Sequence, residues 1–114
     1  VVSGVYAYKL IGAENAVTKR FKDKAKDIYE DIPLKEITES KRLIEVDGVG
    51  FGCVLTKVDV FRHIKKPWFR YTPNMGEDIY FCRKAQKAGY QVYLDTSILC
   101  GHVGSVNYNI KEAL

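Results

Sequence analysis

The chain is poor in the features that announce a class of protein. Its three cysteines, Cys53, Cys82 and Cys100, form no C-x-x-C pair. Cys100 and His102 are two zinc ligands two residues apart, but no second pair completes a tetrahedral set, so a structural zinc site is disfavoured. No signal-peptide pattern is seen, and no apolar run approaches the ~18 residues of a membrane span. The cysteines are therefore expected to be reduced, mostly buried thiols, and the location cytoplasmic. The glycine-rich stretch Gly48 to Gly52 lacks the Gly-Lys-Ser/Thr ending of a phosphate loop, and its spacing does not fit the dinucleotide fingerprint. No repeat or low-complexity tract points to a solenoid or an interdomain linker.

A strong charge bias is also missing. Eighteen basic residues against 14 acidic ones leave a formal charge of +4. Much of the basic excess is scattered between Lys9 and Lys41, with no interleaved aromatic ladder and no finger or homeodomain pattern. Such a distribution reads as a solvated surface, and no nucleic-acid partner is expected.

What is present fits one modest core, and 114 residues with 46% hydrophobic side chains read as a single domain. Residues 1–8 alternate valine, tyrosine and small residues with both faces apolar, which predicts an interior strand. A chain that opens inside such a run reads as a fragment, and this strand is expected to be exposed and to pair two copies into a homo-oligomer. Residues 12–40 are charged and aperiodic, and we expect a mobile excursion with short strands at 17–21 and 34–37. Residues 43–46 predict a strand, and so do 53–55 and 90–95, the last prolonged through 97–100. Thr56 and Asp59 suggest a helix start with Val58, Phe61 and Ile64 inward, ended by Pro67. A second helix is predicted over 77–88, with Ile79, Cys82, Ala85 and also Phe81 and Ala88 inward, Arg83, Lys84 and Lys87 in water, and Gly89 closing it. Strands alternating with two main helices predict an α/β fold with a mixed sheet.

Three groups could carry chemistry. Glu77 and Asp78 stand in the first turn of a helix, where the dipole alone favours carboxylates by a few tenths to about 1 kcal/mol. The same placement fixes a carboxylate as a general base would need. His102 follows a strand between Gly101 and Gly104, as a surface imidazole or as a ligand. Gly50, Phe51 and Gly52 form a turn where backbone either approaches something closely or packs a hairpin tightly.

The order "DGVGFGCVLTKVDVF", "PWF", "GEDIYFCRKAQKAGYQVYLD" and "GHVG" resembles the C-terminal half of the catalytic domain of GT-A fold glycosyltransferases, in particular the family-2-like group. The opening "VVSGVYAYK" is similar to the strand after the metal-binding Asp-x-Asp of those enzymes. The resemblance covers nearly the whole chain and is weakest over 12–40. It implies a partial GT-A fold whose N-terminal nucleotide-binding half is absent. It also implies transfer of a sugar from a nucleotide-sugar donor to an acceptor hydroxyl with inversion. By the same likeness Asp78 is the catalytic base, Glu77 and Trp68 bind or flank the acceptor, and Gly50, Phe51 and Gly52 line the donor and acceptor cleft. His102 corresponds to a histidine on a divalent metal, Mn2+ or Mg2+, at the donor diphosphate.

The chain departs from that pattern where the metal is concerned. Asp23, Asp27 and Asp95 are its nearest candidates for an Asp-x-Asp, and none stands in the expected place. One imidazole holds a hard cation poorly, so tight metal binding is not expected of this chain, nor is transfer activity by itself. The competing readings are a non-catalytic carbohydrate- or protein-binding module with Trp68 and Tyr71 as a stacking platform, and a structural remnant.

Overall fold

A computed structural model describes residues 1–9, 12–39, 42–104 and 107–108. Ser40, where the expected excursion ends, lies outside the described residues. Among the described residues the fold is α/β with a mixed sheet and three helices. The central sheet runs β4 (Leu43–Val46), β7 (Val92–Leu99), β1 (Val2–Val5) and β6 (Val54–Leu55). β1 is parallel to β7, with Val2 opposite Tyr93, and antiparallel to β6, with Val2 opposite Leu55. β4 is antiparallel to β7. A second sheet is ordered β3 (Ile28–Pro33), β2 (Asn15–Asp23), β5 (Gly48–Val49). The bridge between Ala7 and Ala16 passes the chain from one sheet to the other. The helices are α1 (Leu34–Thr38), α2 (Val58–His63) and α3 (Glu77–Lys87). A last small pairing joins β8 (His102–Val103) to β9 (Asn107–Tyr108).

The interior position of β1 corrects one expectation. Its backbone is hydrogen-bonded on both sides, to β7 and to β6, so it offers no free edge for a second copy of the chain. The sheet edges are β4 and β6 instead.

Residues 12–39 hold more regular structure than their sequence suggests. β2 is nine residues long and pairs with β3, so that Lys19 stands opposite Asp31 and Arg20 opposite Glu30. Opposite charges facing across a ladder are compatible neighbours, and this is what the charge-rich pattern encodes. The expected strand at 34–37 is α1. In a strand Leu34 and Ile37 would point to opposite faces; one helical turn buries both at 1% exposure.

Two helix details also differ from expectation. α2 starts after Lys57 with no side-chain cap, Val58 is exposed, and Val60 and Ile64 take the inward positions. In α3, Ile79, Phe81, Cys82 and Ala85 are buried as expected, but Ala88 is exposed. Arg83 does not face water, because its Nε donates to Asp27 Oδ1 at 2.7 Å and its guanidinium lies over the Phe21 ring. Gly89 adopts φ +95°, and Tyr90 N–H reaches back to the Ala85 carbonyl at 3.0 Å, closing the helix in the left-handed conformation that glycine allows.

Packing divides into two clusters that meet at α3. The larger is aliphatic, built on Val5, Ala7, Ala16, Ile32, Leu34, Ile37, Val46, Val49, Val92 and Leu94 with Cys82. The other gathers Val60, Ile64, Phe81 and Ala85 with Phe61, Trp68 and Tyr90 against them. Phe51 touches both. Of the cysteines only Cys82 is buried; Cys53 is exposed and Cys100 half-buried, and none is in a disulfide. Among the described residues no helix is long and apolar enough to cross a membrane.

Candidate functional site

The glycine turn packs mainly on Tyr6, with Val17 also 2.8 Å from where a Cβ of Gly50 would stand. Tyr6, on the chain just past β1, runs its ring under the turn, and Gly52 N–H donates to its hydroxyl at 3.0 Å. A Cβ on Gly50 would lie 2.0 Å from Tyr6 Oη, and one on Gly52 2.9 Å from its Cζ. Only hydrogen fits at these two positions, so what comes close to the backbone is a tyrosine. Gly48 is crowded in the same way by Ile79 of α3, at 2.8 Å. Phe51, between the two glycines, turns away into the aromatic cluster, edge-on to Phe81 at 5.3 Å and to Phe69 at 5.7 Å.

Tyr6 also connects the two ends of the predicted site. The His102 ring stands edge-on to it, centroids 5.3 Å apart. Burial raises the Tyr6 phenol above its usual pKa, opposed by the Gly52 N–H, and the charge of Asp78 raises it further. Sequence reasoning missed Tyr6, because a tyrosine in an apolar strand looks like part of the pattern. The available signal was the glycine alternation itself, which implies a bulky partner.

His102 is held by its Nδ1, 2.7 Å from the Ala7 carbonyl. A carbonyl only accepts, so Nδ1 carries the proton and Nε2 keeps a lone pair. An imidazole oriented by a backbone carbonyl is how metal-ligating histidines are commonly fixed. It is also how a structural histidine is satisfied.

Asp78 is the second residue of α3, after Glu77, and the N-cap Gly76 supplies no side-chain cap. Its Oδ1 accepts from Ile79 N–H at 2.8 Å. Burial raises its pKa above the ordinary 3.8; the Ile79 N–H opposes this, Glu77 beside it adds to it, and Lys19 lowers it. A half-buried carboxyl in that state is a stronger base than a free aspartate once ionised. Glu77 interacts with the exposed Tyr71 hydroxyl and raises that phenol's pKa.

Trp68 lies elsewhere. Its indole N–H donates to the Ile64 carbonyl at 3.3 Å, it packs on Phe61 at 5.0 Å, and Lys66 sits over its face. These contacts belong to the aromatic cluster and its rim. The glycine turn and His102 thus pack on Tyr6, the charge of Asp78 acts on its hydroxyl, and Trp68 is not among them.

A divalent metal fits these residues poorly. Among the described residues no three carboxylate, imidazole or thiol groups gather as a metal set. His102 supplies one nitrogen where a hard cation takes six or more ligands, mostly oxygen, so no step is routed through such an ion.

Next to Asp78 a cavity of about 360 Å³ opens between the β2–β3 hairpin and the start of α3. No family model matches the chain, and no curated protein or solved structure does either.

Proposed function

We propose that this chain is the acceptor side of a GT-A fold glycosyltransferase catalytic domain and that Asp78 is its base. The observation that supports the reading is the setting of Asp78: a half-buried carboxyl with a raised pKa, fixed by Ile79 N–H in the first turn of α3, between Gly76 and Ile79, which both line a cavity. Asp78 takes the proton of an acceptor hydroxyl as its oxygen bonds to the anomeric carbon of the donor. The bond from that carbon to the nucleotide diphosphate breaks, and inversion follows from attack opposite the leaving group. In this reading Tyr6 is a positioning residue that holds the turn and His102.

The test is Asp78→Asn in the complete catalytic domain. Turnover is expected to fall by about 10²- to 10⁴-fold, the range of general-base contributions, with nucleotide-sugar affinity unchanged. Turnover within a few fold of the parent overturns the assignment. For this chain alone, calorimetric titration with UDP or GDP is expected to give no heat of binding with or without Mn2+. Metal-dependent nucleotide binding would instead put the donor site in this chain and overturn its acceptor-side placement.

A further inference from the structure

Cys53 and Cys100 have no part in the chemistry assigned to Asp78, yet the fold brings both to one glycine. Gly4 lies in β1, with β6 on one side and β7 on the other. On the β6 side Ser3 is paired with Val54, so Gly4 comes opposite Cys53, whose carbonyl accepts the Gly4 N–H at 3.0 Å. On the β7 side Val5 faces Leu99, and Cys100 N–H donates to the Val5 carbonyl at 2.8 Å. A side chain on the middle strand would keep the side chains of its two neighbours apart. Gly4 has none, and the Cys100 sulfur takes that space: a Cβ on Gly4 would stand 3.2 Å from Cys100 Sγ. Residues opposite each other in a ladder point to the same face. Cys53 therefore shares the face on which the Cys100 sulfur lies, and the two thiols are hydrogen-bonded to each other.

The three cysteines differ in what they can do. Cys82 is enclosed, and burial pushes its thiol up to about 11, which leaves it inert. Cys100 is half-buried, its pKa raised by burial and by the Cys53 thiol beside it. Cys53 is exposed, next to a two-residue strand at the edge of the sheet that has β1 as its one neighbour there. Such an edge can shift from thiol contact to the ~2 Å of an S–S bond. Access makes Cys53 the attacking thiol and leaves Cys100 to follow.

We propose that Cys53 and Cys100 are a thiol–disulfide pair that closes across Gly4 when the chain meets a low-molecular-weight disulfide such as oxidised glutathione. The Cys53 thiolate attacks one sulfur of that disulfide, and the other sulfur leaves as a thiolate. The Cys100 thiolate then attacks the Cys53 sulfur of the mixed disulfide and expels the second small thiolate. Two protein thiols are oxidised, one external disulfide is reduced to two thiols, and the protons given up by the cysteines end on those thiols. Closure draws together two segments that pack on Tyr6, because Cys53 directly follows Gly52 and Cys100 stands two residues before His102. None of this depends on the transferase reading.

The experiment exposes the folded chain to oxidised glutathione, blocks the remaining thiols by alkylation in acid, and maps the peptides by mass spectrometry. The expected product has lost two hydrogens, carries a Cys53–Cys100 link and keeps Cys82 as an alkylated thiol. Cys100→Ser is expected to accumulate glutathione on Cys53, and Cys53→Ser to react at least about 10-fold more slowly than the parent. In the ¹⁵N-labelled closed form the amide shifts of Gly52 and His102 are expected to move. A lasting glutathione adduct on Cys53 of the unsubstituted chain overturns the proposal, since Cys100 then fails to resolve it. So do a link to Cys82, a Cys53–Cys100 link formed only in urea, or no reaction at either thiol.

Discussion

The two packed clusters are made of different materials and do different work. The aliphatic one, under β1, β5 and β7, uses alanine and valine, so strands and α3 approach closely; Ala16, Val49, Val92 and Leu94 are fully enclosed. The aromatic one fills a wider gap between α2 and α3 with rings, Phe69 stacked on Phe81 at 5.1 Å and Phe61 at 5.0 Å. Close backbone packing fixes where β5 and the glycine turn stand relative to α3. Ring packing holds the loop that leads from α2 toward Gly76. Asp78 sits in the first turn of α3, the helix at which the two clusters meet.

The largest test of that contrast is Phe81→Ala, which removes the fully buried centre of the aromatic cluster. It is expected to cost about 3–5 kcal/mol in urea unfolding. Val49→Ala in the aliphatic cluster removes only two methyl groups' worth of volume and is expected to cost about 1–2 kcal/mol. Equal costs would mean that the aliphatic cluster, not the ring stack, carries the fold. Next is Gly50→Ala, whose new methyl meets the hydroxyl of a buried tyrosine; overpacking of this kind costs about 1–3 kcal/mol. Adding Tyr6→Phe removes the obstructing oxygen and should restore at least about 0.5 kcal/mol as a coupling energy in a double-mutant cycle. Strict additivity would show that the glycine is there for another reason.

A smaller effect is expected at Asp78. Its pKa is raised in the folded state, so the stability it contributes is present below the unfolded value, 3.8, and is lost as pH rises through the folded value. Asp78→Asn keeps an acceptor for Ile79 N–H and removes the charge, so it should raise Tm at neutral pH by a few degrees at most. That gain should vanish toward acid. A gain that grows toward acid would mean that the helix dipole, not burial, governs the carboxyl. The smallest change is Glu30→Gln, at an exposed ion pair with Arg20 3.7 Å away, expected to cost less than about 0.5 kcal/mol.

The parts of this architecture readable from sequence are those where burial leaves a local period. α3 announces itself through Ile79, Cys82 and Ala85, and Gly89 marks its end. β7 shows Val92 and Leu94 alternating against Tyr93 and Asp95. Of the hairpin only the strand expected at 17–21, which lies inside β2, could be read; the rest of β2 and all of β3 left no such trace, because their partners are charges paired across strands, Lys19 with Asp31, and a period of two in mixed charges looks like no period. α2 was misplaced by one residue for a related reason: Thr56 has the chemistry of a cap, yet its Oγ1 is buried without a partner and Lys57 takes the cap position. Within the site, Asp78, His102 and the glycines could be picked out by residue type. Their common neighbour Tyr6 could not, since it lies more than forty residues from the turn it supports, a separation of 46 to Gly52.

The enclosed β1 has a consequence for how the molecule is made. Its parallel partner arrives late: Val1 meets Gln91 at a sequence separation of 90, and Val2 faces Tyr93. During synthesis β1 precedes β7 and must keep that apolar ribbon unsatisfied on one side until the intervening stretch of this chain has been made. Closing so large a loop is entropically slow, and contacts of such long sequence separation delay folding. The sheet's middle strand is thus among the last to be completed, and the interval before β7 arrives is when this chain is most exposed to aggregation.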